Sequence, residues 1–206
     1  MLRRFFTIGA VAIVCALMAA PRGEAAPDPR AFVGDLGNQG IQTLGPNVPP
    51  AQRIARFHEL FQSDFDVPGI GRFVIGRYWQ AFTPQQQQEF IGLFRDYTVV
   101  AYAERLGQYG GAQFQTTGVQ TNGSETIVGS QVTRPNGQPV QIDWHLIQDG
   151  DQFKITDVYV DRVSMKVTQR DEFAQIIQNN GGRADALLAV LRQQLREKQA
   201  AQPPMR

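Results

Sequence analysis

The sequence predicts an α+β fold with its elements segregated into blocks. Three observations carry that expectation. Apolar residues recur at helical spacing from about Asp28 to Tyr109, alternate with period two from Phe114 to about Asp161, and return to helical spacing up to Leu195. Blocks ordered in this way belong to α+β architectures, whereas a parallel α/β sheet would interleave them. The central block divides into four strand-length segments separated by turn sequences, the pattern of antiparallel hairpins. No internal repeat is present.

The helical elements have readable ends. A first helix begins near Asp28 with a loose stripe of Phe32, Val33, Leu36, Ile41 and Leu44, and Gly45-Pro46-Asn47 stops it. A second runs from Pro50 to about Phe65, with Ile54, Phe57, Leu60 and Phe61 close to one face. After the break at Asp66-Val67-Pro68-Gly69, a short helix carries Ile70, Phe73, Val74 and Ile75 to Gly76. The longest helix starts at Thr83-Pro84 with Gln86 three residues after the cap, a capping box in which two orphan backbone donors are satisfied reciprocally. It extends to about Tyr109. Its apolar residues, Phe90, Phe94, Tyr97 and Ala101 beside Ile91, Thr98, Tyr102 and Tyr109, cover more of its circumference than one packing contact needs.

Four strands follow. Phe114 to Thr121 turns at Asn122-Gly123 into Thr126 to Arg134, and Pro135-Asn136-Gly137 leads to the third. There Val140, Ile142, Trp144 and Leu146 alternate with Gln141, Asp143 and His145, giving one apolar and one polar face. Asp149-Gly150 turns into Gln152 to Asp161. Phe153 and Ile155 have one parity in this strand, Val158 and Val160 the other. A bulge near Asp157 would bring all four to one side. Short helical stripes end the chain, at Phe173, Ile176 and Ile177 and at Leu187, Leu188, Leu191 and Leu195.

The segment ahead of Asp28 reads as an export signal. Arg3-Arg4 precede an apolar run from Phe5 to Ala20, and the polar stretch after it ends Gly23-Glu24-Ala25, which favours a cut after Ala25. Arg3-Arg4-Phe5-Phe6 also loosely fits a twin-arginine signal, which leaves the export route open. Residues 1–25 are thus assigned to a signal peptide, 26–198 to a single domain, and 199–206 to a frayed tail. The one cysteine, Cys15, falls inside the apolar run, so the mature chain has no thiol for a disulfide or a metal.

Charge and motifs exclude several functions. Of 20 Lys+Arg and 19 Asp+Glu, the signal removes three arginines and Glu24, leaving a net of −1 and no dense basic run. A nucleic-acid binder would show the reverse. His58 and His145 are distant in sequence and lack accompanying acidic residues at metal-ligand spacing. No phosphate-binding glycine loop, zinc-protease motif or nucleophile elbow occurs, and Ser130 falls in mid-strand. Asp143, His145 and Asp157 form the one polar set that could converge. However, Asp143 and His145 share the polar parity opposite Trp144, and Asp157 falls where a bulge would use it as a cap.

Thirteen phenylalanines crowd this chain, most of them in the helices before the sheet. A large aromatic core would use them, and so would a lined cavity between helices and a one-sided sheet. A resemblance separates these readings. Gly71-Arg72-Phe73-Val74-Ile75-Gly76-Arg77-Tyr78-Trp79, with Phe65-Asp66 before it, resembles a signature of the periplasmic phospholipid-binding proteins of the Mla system, also called the toluene-tolerance family. Thr83-Pro84, Gln87, Phe90, Phe94, Tyr97, Tyr102, Leu106 and Tyr109 follow in the family's order, as do Val163-Ser164-Met165 and Gln169-Arg170-Asp171-Glu172-Phe173. One departure is Arg162, where the family pattern has a small residue, usually glycine, which bears on the turn and the cavity rim there.

The resemblance implies a four-stranded antiparallel sheet wrapped by helices around an apolar lipid cavity, in a periplasmic phospholipid carrier without catalysis, metal or cofactor. It implies an inner-membrane ABC transporter with a periplasmic lipid-binding ring and an outer-membrane lipoprotein–porin complex as partners, and a role in outer-membrane lipid asymmetry. On the helices, Phe57, Phe61, Phe73, Val74, Phe90, Phe94 and Tyr97 are the candidate lining residues. On the sheet they are Val128, Val132, Ile142, Trp144, Leu146, Val158 and Val160. Arg72 and Arg77 are candidate rim contacts. Three rival readings are a carrier of hopanoids or other polycyclic lipids, an enzyme using Asp143 or Asp157 with His145, and an interaction protein with a filled core.

Overall fold

The computed structural model describes residues 28–45, 47–109, 111–135 and 137–200; the expected signal peptide and residues 201–206 of the expected tail lie outside them. Six α-helices and one antiparallel sheet follow in the order α1 (Pro29–Leu44), α2 (Pro50–Asp64), α3 (Val67–Ile75), α4 (Pro84–Leu106), β1 (Gln113–Asn122), β2 (Glu125–Thr133), β3 (Val140–Asp149), β4 (Gln152–Val160), β5 (Val163–Ser164), α5 (Met165–Asn179) and α6 (Ala184–Ala200). Single 3₁₀ segments, Gly76–Ala81 and Gly107–Tyr109, extend α3 and α4.

Side chains define the helix starts. The Asp28 carboxylate accepts the Arg30 N–H at 2.9 Å, and that of Asp66 accepts the Gly69 N–H at 3.0 Å. Ser164 Oγ accepts the Val167 N–H at 3.1 Å. At α4 both halves of the capping box are present: the Gln86 N–H donates to Thr83 Oγ1 at 3.2 Å, and the Thr83 N–H donates to Gln86 Oε1 at 2.9 Å. Such caps stabilise a helix by about 1 kcal/mol each. The broad apolar circumference of α4 is explained by its neighbours, since it packs against α2, α3 and α6 at once.

The sheet runs β1-β2-β3-β4-β5 with every neighbouring pair antiparallel. It has five strands where four were expected. The fifth is only Val163–Ser164, paired with Val160 and Tyr159, and two residues are too few to show an alternation. The expected bulge is present: Leu146 faces Ile155 and His145 faces Asp157, leaving Thr156 as the extra residue. Phe153, Ile155, Val158 and Val160 thereby reach one face. The β1–β2 and β3–β4 hairpins differ from expectation by one position. Asn122 pairs with Glu125 and Asp149 with Gln152, so Gly123 and Gly150, at φ of +62° and +60°, are the first residues of their turns. Glycine there supplies the positive φ that a tight hairpin needs.

The β4–β5 turn has no glycine. Asp161 and Arg162 hold φ of +47° and +68°, which costs roughly 1 kcal/mol for an L residue. Two bonds to one β3 residue anchor the turn: the Asp161 N–H donates to the Gln141 carbonyl at 2.9 Å, and the Gln141 N–H donates to Asp161 Oδ1 at 3.2 Å.

The buried side chains form two clusters. The helical one joins Phe61, Val74, Phe90, Phe94, Phe173, Ile177, Leu187, Leu188 and Leu191 across α2 to α6. The second joins Val33, Leu36 and Leu60 of α1 and α2 to Val128, Leu146, Phe153 and Ile155 of the sheet.

Candidate functional site

Helices and sheet do not close fully on one another. A cavity of about 500 Å³ separates them, with overwhelmingly apolar walls. Leu36, Gly37, Gly40 and Ile41 of α1 form one wall, and Phe57, Leu60, Phe61 and Phe65 of α2 and its end another. From α4 come Phe94, Thr98, Tyr102 and Arg105, at intervals of four, four and three residues and hence along one face. The sheet contributes Phe114, Val132, Val140, Ile142, Trp144, Val158 and Val160, and α5 contributes Met165, Lys166 and Gln169.

Eight of the candidate lining residues are in these walls: Phe57, Phe61, Phe94, Val132, Ile142, Trp144, Val158 and Val160. The other six do not border the cavity. Phe90 and Val74 are at most 1% exposed within the helical core, and Tyr97 packs on Phe173 with ring centroids 6.0 Å apart. All three α4 rings pack on Phe173 of α5, but only Phe94 also borders the void. Phe73 lies beneath the Lys166 ammonium and the Arg170 guanidinium, 4.9 and 5.4 Å from its centroid. Val128 and Leu146 are on the apolar face of the sheet, but α1 and α2 cover that end and leave both fully buried. Alternation identified the face and carried no information on how far along it the helices reach. Arg72 and Arg77 are both exposed and outside the walls; the Arg77 guanidinium donates to Tyr78 Oη at 3.0 Å.

The approach of α1 to the sheet has a signal in its glycine spacing. Gly34, Gly37 and Gly40 recur every three residues along this helix. A Cβ on Gly37 would stand 2.4 Å from the Phe114 ring, so the glycine lets α1 lie against β1 with that ring in the wall.

Polar groups in the walls are largely satisfied. Trp144 Nε1 donates to Ser130 Oγ at 2.8 Å, and the Ser130 hydroxyl donates to the Ile142 carbonyl at 3.2 Å. The indole is therefore fixed by its polar edge and presents carbon to the cavity. Asp157, 3% exposed, accepts from the Val158 N–H at 2.8 Å, the Ser164 hydroxyl at 2.5 Å and the Lys166 N–H at 3.1 Å. It ties the bulge of β4 to the start of α5. Burial pushes the Tyr102 phenol above its usual range, outweighing the opposing pull of Arg105, and so keeps it neutral. The Thr98 hydroxyl is buried without a partner among the described residues. Arg105 is the exposed cation of the wall, its guanidinium 5.2 Å over the Tyr102 ring.

Asp143, His145 and Asp157 do not converge. Asp157 is committed on the cavity side. On the opposite face the His145 ring lies 2.9 Å from Glu125 Oε1 and stacks on Tyr159 at 4.5 Å. His145 and Asp143 are half-buried there by their neighbours, not freely solvated. His58 pairs with Asp96 at 3.7 Å on another surface. Among the described residues no group of three or more His, Cys, Asp or Glu side chains could hold a metal ion, and no helix is long and apolar enough to cross a membrane.

Comparisons with a family model, with curated proteins and with solved structures agree. A family model described as MlaC protein matches residues 42–193. The toluene tolerance protein Ttg2D of Pseudomonas putida is 27% identical over 122 residues, spanning 58% of this chain and 57% of that protein, so the match extends over little more than half of the relative's length. Among solved structures, the phospholipid-binding protein of Ralstonia solanacearum, determined in complex with a phospholipid, superposes with a TM-score of 0.70 at 20% identity, covering 84% of this chain and 99% of that one. At this identity the likeness demonstrates a shared fold.

Proposed function

The chain belongs to the MlaC family, and from that premise we propose that it is a periplasmic phospholipid carrier whose cavity holds acyl chains between helices and sheet. The observation that carries this reading is the cavity itself, about 500 Å³ with apolar walls and an exposed cation, Arg105, in one of them. The phospholipid held by the Ralstonia solanacearum protein of like fold supports it, and the export signal read in residues 1–25 supports the compartment.

The energetics suit transfer. Each buried CH₂ contributes about 0.8 kcal/mol, so a chain of about sixteen carbons gains on the order of 12 kcal/mol over water. A bilayer offers the same gain. A carrier must match the bilayer and not exceed it, which an apolar wall without a deep charged clamp achieves. In this reading Phe57, Phe61, Phe94, Val132, Ile142, Trp144, Val158 and Val160 contact the chains, and Arg105 and Lys166 face the phosphate at the rim. The reading assigns no catalytic step. Its finer form makes the protein the soluble component of an ABC transport system that maintains outer-membrane lipid asymmetry, exchanging lipid with an inner-membrane transporter and its lipid-binding ring and with an outer-membrane lipoprotein–porin complex.

Native mass spectrometry of the purified protein, followed by lipid extraction, tests the carrier reading. The expected result is a stoichiometric mass increment that resolves into phospholipid. A polycyclic lipid would transfer the reading to a hopanoid-type carrier. An unliganded mass with no uptake from liposomes would leave the family membership and remove the carrier function.

A further inference from the structure

Next to the cavity wall, the surface carries exposed cations and valines that do not line the cavity. We propose that the β4–β5 turn, the first turns of α5 and the adjoining edge of α3 form a docking face for an anionic bilayer surface.

Four observations converge on this face. Val163 and Val167 are 54% and 41% exposed, two of the three large apolar side chains standing in solvent among the described residues. Cations flank them: Arg162 precedes Val163, the exposed Arg170 follows Val167 by three residues, and the half-buried Lys166 precedes it. Lys166 and Arg170 both rest on the Phe73 ring of α3, which brings in Arg72 beside Phe73. Arg170 Nε also lies against Gly76, next to Arg77. Among the described residues none of these five cations pairs with a carboxylate within 4.0 Å. Of the nearby acids, Asp157 is buried in three hydrogen bonds, Asp161 accepts from Gln141, and Glu172 accepts from the Gln169 amide. Asp171 is left in solvent. Third, Arg162 holds a φ of +68° that glycine would adopt freely, so a charged side chain stands at the turn despite the backbone strain. Fourth, Met165 and Lys166 belong to the cavity wall, so this face adjoins the cavity directly.

The combination selects the partner. Apolar side chains set among cations are the pattern that inserts at head-group depth while the charges meet lipid phosphates. The chain beyond residue 25 is net negative, so general attraction does not account for a local positive face. The proposal goes beyond carriage, because Arg72, Arg77, Arg162, Val163, Val167 and Arg170 lie outside the cavity walls.

Vesicle co-sedimentation tests it. The wild-type protein and the double variant Arg162→Gly/Arg170→Gln are mixed with phosphatidylglycerol/phosphatidylcholine vesicles and with pure phosphatidylcholine vesicles, at low and high salt. Arg162→Gly suits the backbone of the turn, and native mass spectrometry of each variant reads the cavity contents in parallel. The expected result is salt-sensitive binding of wild type to the anionic vesicles alone. The double variant should bind about twenty-five-fold more weakly, since each basic residue contributes about a factor of five near such a surface, with its lipid content unchanged. Val163→Ser/Val167→Ser should weaken binding at both salt concentrations. Wild type that ignores anionic vesicles, or variants that bind as wild type does, would overturn the proposal while leaving the carrier reading intact. Retention on immobilised polyglutamate through the same arginines, without vesicle binding, would overturn it in favour of an acidic protein surface.

Discussion

Trp144 shows how a single side chain can be both anchored and available. Its N–H is taken by Ser130 and its ring meets Phe114 edge-on, with centroids 6.4 Å apart, so the remaining face is free for an apolar ligand. Trp144→Asp removes a contact surface of about 1.5–3 kcal/mol and places a carboxylate in the wall. Lipid occupancy by native mass spectrometry should fall about tenfold or more, while far-UV circular dichroism stays native. Equal occupancy in the folded variant would exclude this wall from the site. Single residues were legible where one local rule governed them. The parity of Ile142, Trp144, Val158 and Val160, with a bulge, was enough to put them on one face. Val128 and Leu146 obey the same parity but are covered by α1 and α2, a fact of tertiary packing that no local spacing contains. Tyr102 and Arg105 share the α4 face of Phe94 and Thr98, but spacing alone does not tell that face from the neighbouring stripe of Phe90 and Tyr97, which packs in the helical core.

Among the elements, helix ends carried the plainest message because capping is local chemistry. Thr83→Ala removes one acceptor of the capping box and should cost about 1 kcal/mol, read as a fall in Tm of roughly 2–4 °C for a chain of this size. Unchanged melting would mean that α4 is held by packing alone. At the other end of α2, burial raises the Asp64 carboxyl above its usual value, against the opposing Ser63 hydrogen bond and the charge of Lys154. A carboxyl raised on folding binds its proton more tightly in the folded state, so its ionised form costs stability above that pKa and nothing well below the ordinary value. Asp64→Asn should therefore raise Tm at neutral pH, and the gain should vanish as pH falls below the ordinary carboxylate range. A gain that grew on acidification would contradict the assignment. The β5 strand and the one-residue placement of Gly123 and Gly150 were not legible. Two residues cannot alternate, and Asn-Gly can serve as either the first or the second step of a tight turn.

For the whole molecule, segregated blocks predicted the α+β class, Thr156 supplied the expected bulge, and the family resemblance implied the cavity between helices and sheet, but the division of the buried side chains into two clusters was not readable. That division depends on α1 standing over the sheet on its glycine face and on α2 to α6 packing among themselves. A ligand in the space binds only the folded form and so raises its apparent stability, by about 2.7 kcal/mol at a hundred times the dissociation constant. Delipidated protein should melt below loaded protein, and addition of phospholipid vesicles should abolish the difference. Identical melting curves would indicate that the space holds nothing under these conditions. The same space also has a volumetric consequence. Unfolding under pressure is driven by internal void that disappears when the chain opens, so the unloaded protein should show the larger volume decrease and denature at the lower pressure. Filling the space with hydrocarbon should reduce its compressibility toward that of a solid core, which high-pressure fluorescence of Trp144 and Trp79 would report.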